Sequence, residues 1–110
     1  MRQFEVWWAD LPLPRGPRPV LLLSRDGAYR SLTEVLVVEI TTVIRTIPQE
    51  LSLGRAEGLP RPSVASFDSV VSIKPASLLR RLGGLRARRI VEAKTALGHA
   101  LGWIELTRLA

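Results

Sequence analysis

Apolar residues in the first two-thirds of the chain occur in short runs that favour β-strands. Aromatic and β-branched residues, which pack well on a pleated surface, are frequent in these runs. The pattern predicts six strands, at Phe4–Ala9, Pro19–Ser24, Glu34–Thr42, Gln49–Leu53, Ser63–Phe67 and Val70–Ile73. The run at Pro19–Ser24 is almost uniformly apolar, so we expect it at the centre of a sheet. Segments 11–17 and 54–62 are rich in proline and glycine and are predicted to be loops.

The last third of the chain changes to a helical pattern. Proline is tolerated in the first turn of a helix, so Pro75 predicts a short helix at Ala76–Leu82. A longer helix is predicted from Arg86 to about Leu101, because apolar residues recur there at helical spacings. The residues of this face are Ile90, Leu97, Leu101 and Ile104. Arg88 and Glu92 are four residues apart, so we expect them to pair on the solvent side.

Short strands followed by a terminal helix predict a mainly β fold. A small, partly open barrel with a helix packed on it fits this order of elements. The length of 110 residues suits one domain spanning 1–110. Barrels of this kind commonly bind ligands through the loops at one rim.

Composition excludes several kinds of site. The chain has no cysteine and a single histidine, so thiolate metal sites and two-histidine ribonuclease sites are excluded. That histidine, His99, lies late in the chain among small and apolar residues, which argues against a Ser-His-Asp triad. The longest apolar runs have the length of strands, and no signal peptide follows Met1, so we expect a cytoplasmic protein. The net charge of +6 indicates a polyanionic partner, either nucleic acid or an acidic protein. Since nearly all the positive charge is arginine, a GC-rich genome is an alternative explanation for the arginine content.

Polar residues near strand ends are the candidates for chemistry. Arg15 and Arg18 flank a glycine-proline turn, and the prolines on either side of Arg18 restrict its backbone, which suits a phosphate clamp. Thr41 and Thr42 end the strongest predicted strand, and Ser63 begins another. Position alone leaves an ordinary exposed loop arginine as the simpler interpretation of Arg18.

Three segments, Val6–Leu11, Gly16–Asp26 and Val37–Thr42, together resemble the MazF/PemK toxin family. They contain a strand ending in Asp-Leu, an Arg-Pro step before an apolar strand, and a strand ending in Ile-Thr. The resemblance continues in order through the rest of the chain, at Gly58-Leu59, Ser63-Val64, Val70–Ile73, Leu78, Gly83, Leu85 and Ala96–Gly102. It therefore covers essentially the whole sequence.

The resemblance implies an SH3-like small barrel of the CcdB/PemK type. It also implies a metal-independent, sequence-selective endoribonuclease toxin that cleaves single-stranded RNA, needs no cofactor, forms a homodimer and is neutralised by a cognate acidic antitoxin. The family's catalytic arginine and threonine fall on Arg18 and Thr41. The substrate-binding residues are then predicted to be Arg15, Gly16, Arg25, Thr42 and Ser63. The shortened loop before Arg18, and Arg25 in place of the usual asparagine, leave the recognised RNA sequence open.

In this chemistry the 2′-hydroxyl of the RNA is the nucleophile, so the protein positions the phosphate and stabilises charge. Arginine is a poor proton acceptor at neutral pH, so Arg18 is expected to act electrostatically, with acid catalysis at the leaving oxygen as the second alternative. The general base is left open among Asp26, Glu39 and Asp68. Two alternatives are a CcdB-like, non-enzymatic poison of DNA gyrase and a degenerate homologue that only binds.

Two further features have both a structural and a functional interpretation. Trp7 and Trp8 are neighbours on a strand and should face opposite sides, one into the core and one available to stack a base. An arginine-rich stretch could be a solvated helix end or a docking surface for an acidic antitoxin or RNA. It comprises Arg80, Arg81, Arg86, Arg88 and Arg89.

Overall fold

The computed structural model describes residues 1–109 and contains one antiparallel sheet with helices packed against it. The six strands are β1 (Glu5–Leu11), β2 (Gly16–Leu22), β3 (Val35–Thr41), β4 (Glu50–Leu53), β5 (Ser63–Ile73) and β6 (Leu78–Gly84). The helices are α1 (Ala28–Ser31), α2 (Ala87–Leu101) and α3 (Ile104–Thr107), and short 3₁₀ turns lie at Arg55–Glu57 and Pro75–Ser77. No helix in the described range is long and apolar enough to cross a membrane.

The sheet has the order β4-β5-β3-β2-β1-β6 and curls until its two ends come close together. The β6 end touches the turn that follows β4 through two glycines. A Cβ atom at Gly83 would collide with the carbonyl group of Glu57, and one at Gly58 with the carbonyl oxygen of Leu82. The absence of side chains at both glycines therefore allows the two backbones to meet. The prediction of a small, partly open barrel with a C-terminal helix is confirmed.

Two hydrophobic clusters lie on either side of the sheet. One lies between the sheet and α2, where Ala93 and Ala96 meet Val6, Leu21 and Phe67. The other lies on the opposite side, where α1 covers the sheet. Its members include Ala9, Val20, Leu22, Val35, Val37, Ile73, Leu78, Ala28 and Tyr29. The sheet is buried on both sides along its centre, which explains the uniformly apolar run that sequence reasoning placed there.

The predicted helix at Ala76–Leu82 is wrong. That segment forms a 3₁₀ turn at Pro75–Ser77 and then the edge strand β6, which pairs with β1. Its leucines and arginines favour a helix locally, but pairing with the free edge of β1 outweighs that preference. The segment has no β-branched residue, so its own composition gave no signal for a strand.

Strand bounds also differ from the predictions. The predicted strands Ser63–Phe67 and Val70–Ile73 are the two halves of β5, which runs through both with a change of register between them. Strand β2 begins earlier than predicted, at Gly16. Residues 16–19 pair with β1 alone, and their other side is a free edge, where Pro17 and Pro19 are tolerated although they have no N–H to donate. The short helix α1 was not predicted.

The C-terminal helix was placed correctly, but its contacts were not. Ile90 and Leu97 pack against the core, whereas Leu101 and Ile104 are about half exposed, because α2 ends at Leu101 and Ile104 belongs to α3. The predicted Arg88–Glu92 pair is replaced by Arg89–Glu92, with 2.7 Å between Nε and Oε2.

Candidate active site

A gap between β2 and β3 sets the position of the predicted catalytic residues. Pairing of the two strands runs from Leu22↔Val37 to Val20↔Glu39 and stops there. Beyond this point residues 16–19 pair only with β1, and the end of β3 pairs only with β5. Arg18 and Thr41 therefore lie on opposite sides of a gap where the two strands have parted.

A bulge in β5 forms the other wall of this gap. Val38 pairs with Val70, but Ile40 pairs with Ala65, so four residues of β5, 66–69, lie opposite Glu39 alone. Bulges of this kind bend a strand and often occur next to active sites. The result is a cavity of about 270 Å³, which we call the catalytic cavity. It is lined by Arg18, Glu39, Thr41, Val43, Arg45, Glu50, Ser66 and Ser69.

Arg15, Arg18 and Glu39 form a charged group at this cavity, and Arg45 and Glu50 also line it. The side chain of Glu39 is only 11% exposed, and its Oε1 lies 2.6 Å from Nε of Arg15. Its Oε2 lies 4.0 Å from Nη1 of Arg18. Arg18 is held by a hydrogen bond from Nη2 to the carbonyl oxygen of Arg15, at 3.1 Å. The buried Nε of Arg18 has no hydrogen-bond partner among residues 1–109. Such a donor is costly to bury and suits an anionic ligand.

The hydroxyl oxygen of Thr41 already accepts one hydrogen bond. The backbone N–H of Val43 donates to Oγ1 of Thr41 at 3.1 Å. This bond fixes the hydroxyl at the strand end and leaves its proton free to be donated. Thr41 also lines a second cavity, of about 250 Å³, together with Arg18, Pro19, Ile40, Thr42 and Ser63. Arg18 and Thr41 thus face the same space.

A wider groove continues from this second cavity. Its volume is about 690 Å³, and it shares Pro19, Thr42 and Ser63 with that cavity. Trp8 and Leu82 provide apolar walls. Three arginines, Arg55, Arg61 and Arg80, also line it. We call this space the arginine groove. The second cavity connects it to the catalytic cavity, because the second cavity shares lining residues with each of them.

A sequence model of PemK-like, MazF-like toxins of type II toxin-antitoxin systems matches residues 2–101. The chain belongs to this family. It is 42% identical over 98 residues to the probable endoribonuclease MazF5 of Mycobacterium tuberculosis, covering 88% of this chain and 89% of that protein. It is 37% identical over 89 residues to endoribonuclease MazF3 of the same species, covering 79% and 86%.

Solved structures agree with the family assignment. The toxin MazF-mt6 of Mycobacterium tuberculosis superimposes with a TM-score of 0.83 at 34% identity, covering 89% of this chain and 96% of that one. A mycobacterial endoribonuclease in complex with its cognate antitoxin superimposes with a TM-score of 0.80 at 27% identity, covering 94% and 96%. The resemblance seen in the sequence is therefore confirmed across the fold.

The MazF-type fold brings together most of the predicted site residues. Arg18, Thr41, Thr42 and Ser63 line connected spaces, and Arg15 contacts Glu39 at their edge. Ser63 is buried and donates from Oγ to the carbonyl oxygen of Arg61 at 3.0 Å, which leaves its lone pairs available as acceptors.

Two of the predicted substrate-binding residues lie elsewhere. Gly16 begins β2 with a positive φ of 66° and lines none of the three spaces. Arg25 follows the opposite end of β2 and is exposed there, apart from the groove. The structure does not bring either into contact with the candidate site.

Several of the lining residues were not predicted from the sequence. Arg45, Arg55 and Arg61 come from loops, and only the general richness in arginine hinted at them. Ser66 and Ser69 became lining residues through the bulge in β5, a feature without a sequence signature.

The two tryptophans lie in different places, and so do the residues of the arginine-rich stretch. Trp7 packs against the core on the α1 side, whereas Trp8 lines the arginine groove, as alternation along β1 predicted. Arg80 lines the groove, but Arg81 pairs with Glu5 at 2.9 Å. The stretch is therefore not one surface. Burial raises the pKa of Glu5, but hydrogen bonds from Trp7, the backbone of Arg2 and Arg81 outweigh it, so the pKa lies below its usual value.

Proposed function

We propose that this chain is a metal-independent endoribonuclease toxin that cleaves single-stranded RNA at selected sequences. The observation that supports this most directly is the convergence of Arg18 and Thr41 on one space beside the gap between β2 and β3. The relatives named endoribonucleases support the same activity. Within residues 1–109, no three His, Cys, Asp or Glu side chains lie close enough together to hold a metal ion.

In the proposed mechanism the scissile phosphate lies against Arg18. The guanidinium group, with its unpartnered Nε, stabilises the negative charge that grows on the pentavalent phosphorus, and the hydroxyl of Thr41 donates to a phosphate oxygen. The 2′-hydroxyl attacks phosphorus and O5′ departs, giving a 2′,3′-cyclic phosphate and a 5′-hydroxyl. Losing one such donor typically costs about 3 kcal/mol in the transition state.

The arginine groove suits nucleotides that flank the cut. The indole of Trp8 offers a face on which a base can stack, and such stacking is worth about 1–3 kcal/mol per base. Arg55, Arg61 and Arg80 can each bind a phosphate. A base can reach this wall only when it is unpaired, so we infer that the substrate is single-stranded. Contacts with individual bases would provide the sequence selectivity.

The partners follow from charge and from exposed apolar surface. A net charge of +6 and the arginine groove favour an acidic antitoxin, and a solved relative is bound to its cognate antitoxin. Large apolar residues are exposed near the C-terminal end, at Leu101, Trp103, Ile104 and Leu109. Exposed apolar surface of this kind is typical of protein contacts, and we propose that the chain is a homodimer acting in the cytoplasm. Analytical ultracentrifugation measures the oligomeric state directly.

Incubation of the purified protein with a long RNA in excess EDTA tests the proposed activity. We expect discrete fragments with cyclic or 3′-phosphate ends, and a loss of about 10²–10³-fold in rate for Arg18→Ala. Arg30→Ala is the matched control, because Arg30 is exposed on α1, away from the groove, and its substitution removes the same charge. A substrate with one 2′-deoxy sugar at the cut site should bind without being cleaved.

The alternatives predict different results. Intact RNA together with inhibited DNA gyrase would show that the protein is a gyrase poison and not a nuclease. RNA that is bound but never cut would indicate a degenerate homologue. Cleavage of the 2′-deoxy substrate would refute attack by the 2′-hydroxyl.

A further inference from the structure

We propose that Glu39 is the general base that removes the proton from the attacking 2′-hydroxyl, a role that rests on the proposed endoribonuclease activity. The carboxylate lines the catalytic cavity beside both Arg18 and Thr41. Its side chain is only 11% exposed, and Glu39 lies opposite the bulge of β5, paired with Val20 of β2 but with no residue of β5. A carboxylate within reach of the reacting hydroxyl is a standard proton acceptor in enzymes.

The two oxygens of Glu39 have different surroundings. Oε1 is buried and lies 2.6 Å from Nε of Arg15; the contact has the distance of an ion pair without the geometry of a hydrogen bond, and it holds the carboxylate in place. Oε2 lies 4.0 Å from Nη1 of Arg18, which is longer than a hydrogen bond. A lone pair of Oε2 is therefore available to a hydroxyl group that enters the cavity. Because Arg18 lines the same cavity, a phosphate bound to Arg18 would lie in the space that Oε2 faces.

The other acidic residues near the site are less suitable. Glu50 also lines the cavity, but its Oε1 accepts the backbone N–H of Arg45 at 3.0 Å and that of Thr46 at 2.9 Å. It therefore holds the loop after β3. Asp26 accepts the backbone N–H of Gln3 at 2.7 Å and lies beyond the far end of β2. Asp68 is exposed on β5 and does not line the cavity.

The proposed step is balanced without any further reactant except water. The proton of the 2′-hydroxyl moves to Oε2 of Glu39 while the O2′–P bond forms and the P–O5′ bond breaks. The departing O5′ takes a proton from water, and Glu39 then returns its proton to the hydroxide that remains. Arg18 stabilises the negative charge on the phosphorane oxygens throughout and transfers no proton.

Glu39→Gln tests this role, because glutamine keeps the shape and can still accept a hydrogen bond but is not a proton acceptor. We expect kcat to fall by about 10²–10⁴-fold at neutral pH, as is usual for loss of a general base. Glu34→Gln is the matched control, because Glu34 is exposed just before β3, at the end opposite to Thr41, and this variant should stay within about threefold of the wild type. Circular dichroism and binding of the 2′-deoxy substrate show that each variant is folded.

The pH dependence separates a base from a merely structural residue. The wild-type rate should rise with pH on the acid side and then level off, whereas the Glu39→Gln rate should keep rising tenfold per pH unit as hydroxide replaces the carboxylate. The charged groups that face Glu39 are Arg15 and Arg18 from the β1–β2 connection and β2, Arg45 from the loop after β3, and Glu50 from β4; β5 contributes the neutral Ser66 and Ser69. A profile that is parallel to the wild type at a lower rate would overturn the role of base.

The results distinguish this inference from the activity on which it depends. If the wild type cuts RNA, Arg18→Ala does not, and Glu39→Gln cuts within threefold of the wild type, only the role of Glu39 is overturned. If the wild type itself leaves RNA intact, the proposed activity is refuted and the role of Glu39 with it.

Discussion

The ion pair between Glu57 and Arg89 connects α2 to the segment after β4. The side chain of Glu57 is 6% exposed, and its Oε2 lies 3.3 Å from Nη1 of Arg89. Its Oε1 accepts the backbone N–H of Gly54 at 2.7 Å. Arg89 also donates from Nη2 to the carbonyl oxygen of Ser52 at 2.6 Å. We therefore expect Arg89→Met, which keeps the apolar stem and removes the guanidinium, to destabilise the protein strongly.

The size of this effect follows from burial. Removing one partner of a buried ion pair costs about 3–5 kcal/mol, because the remaining charge loses its compensation. The side chain of Arg89 is 19% exposed, so solvent screens part of the charge and the lower end, about 3 kcal/mol, is expected. The further contact with Glu92 is exposed and adds little. At about 4 °C per kcal/mol for a domain of this size, Tm should fall by about 12 °C.

Urea unfolding followed by tryptophan fluorescence measures this free energy. Arg88→Met is the matched control, because Arg88 is the exposed neighbour on the same helix and removes the same charge. Its unfolding free energy should change by no more than about 0.5 kcal/mol. On a Glu57→Gln background, Arg89→Met should cost less than on the wild type, since no buried charge is left without a partner. Equal midpoints for Arg88→Met and Arg89→Met would refute this account of the pair.

Three further predictions concern closure of the barrel, the single tyrosine and the arginine groove. Gly83→Ala should destabilise the protein by about 1–3 kcal/mol, because its Cβ meets the backbone of Glu57, whereas Gly27→Ala, with open space around it, should not; thermal unfolding compares them. Burial raises the pKa of Tyr29 above the usual 10.0, so phenolate absorbance at 295 nm should appear only well above pH 10 in the folded state. The contribution of this group to the free energy of unfolding is complete below pH 10 and should decrease as the pH rises further. Ionisation near pH 10 would contradict burial. Trp8→Ala should weaken binding of a 2′-deoxy oligonucleotide by about 1–3 kcal/mol in fluorescence anisotropy, whereas an unchanged affinity would exclude stacking on this indole.

The central strands and the C-terminal helix could be predicted because their local patterns match their final environment. Five of the seven residues of Val35–Thr41 are β-branched, and all but Leu36 and Thr41 are buried, so propensity and tertiary packing agree. The apolar face predicted for α2 is correct at Ile90 and Leu97, which reach the core. The pattern fails for β6, where the pairing partner, β1, is about 70 residues earlier in the chain and outweighs the local preference.

The candidate site was found in part for the same reason. Arg18 and Thr41 lie next to strong strand signals and carry the family resemblance, so the sequence was sufficient to select them. Arg55, Arg61 and Trp8 form one groove only after the sheet has curled, and nothing in their spacing predicts that they meet. Glu39 was one of three candidates for the base, and only the structure shows that it lines the catalytic cavity whereas Asp26 and Asp68 do not.

By itself, then, the sequence determined the strand-rich core, the terminal helix, the positive charge and the family. These depend on side-chain type and short-range periodicity, which are local properties. The tertiary structure alone decided where β2 and β3 part, which residues of β5 bulge, and how Gly83 meets Gly58 to close the barrel. Each of these depends on strand register and on backbone contact between distant segments, and a one-residue change of register moves every side chain to the other face. The catalytic cavity lies where the register changes opposite Glu39, which pairs with Val20 of β2 but with no residue of β5.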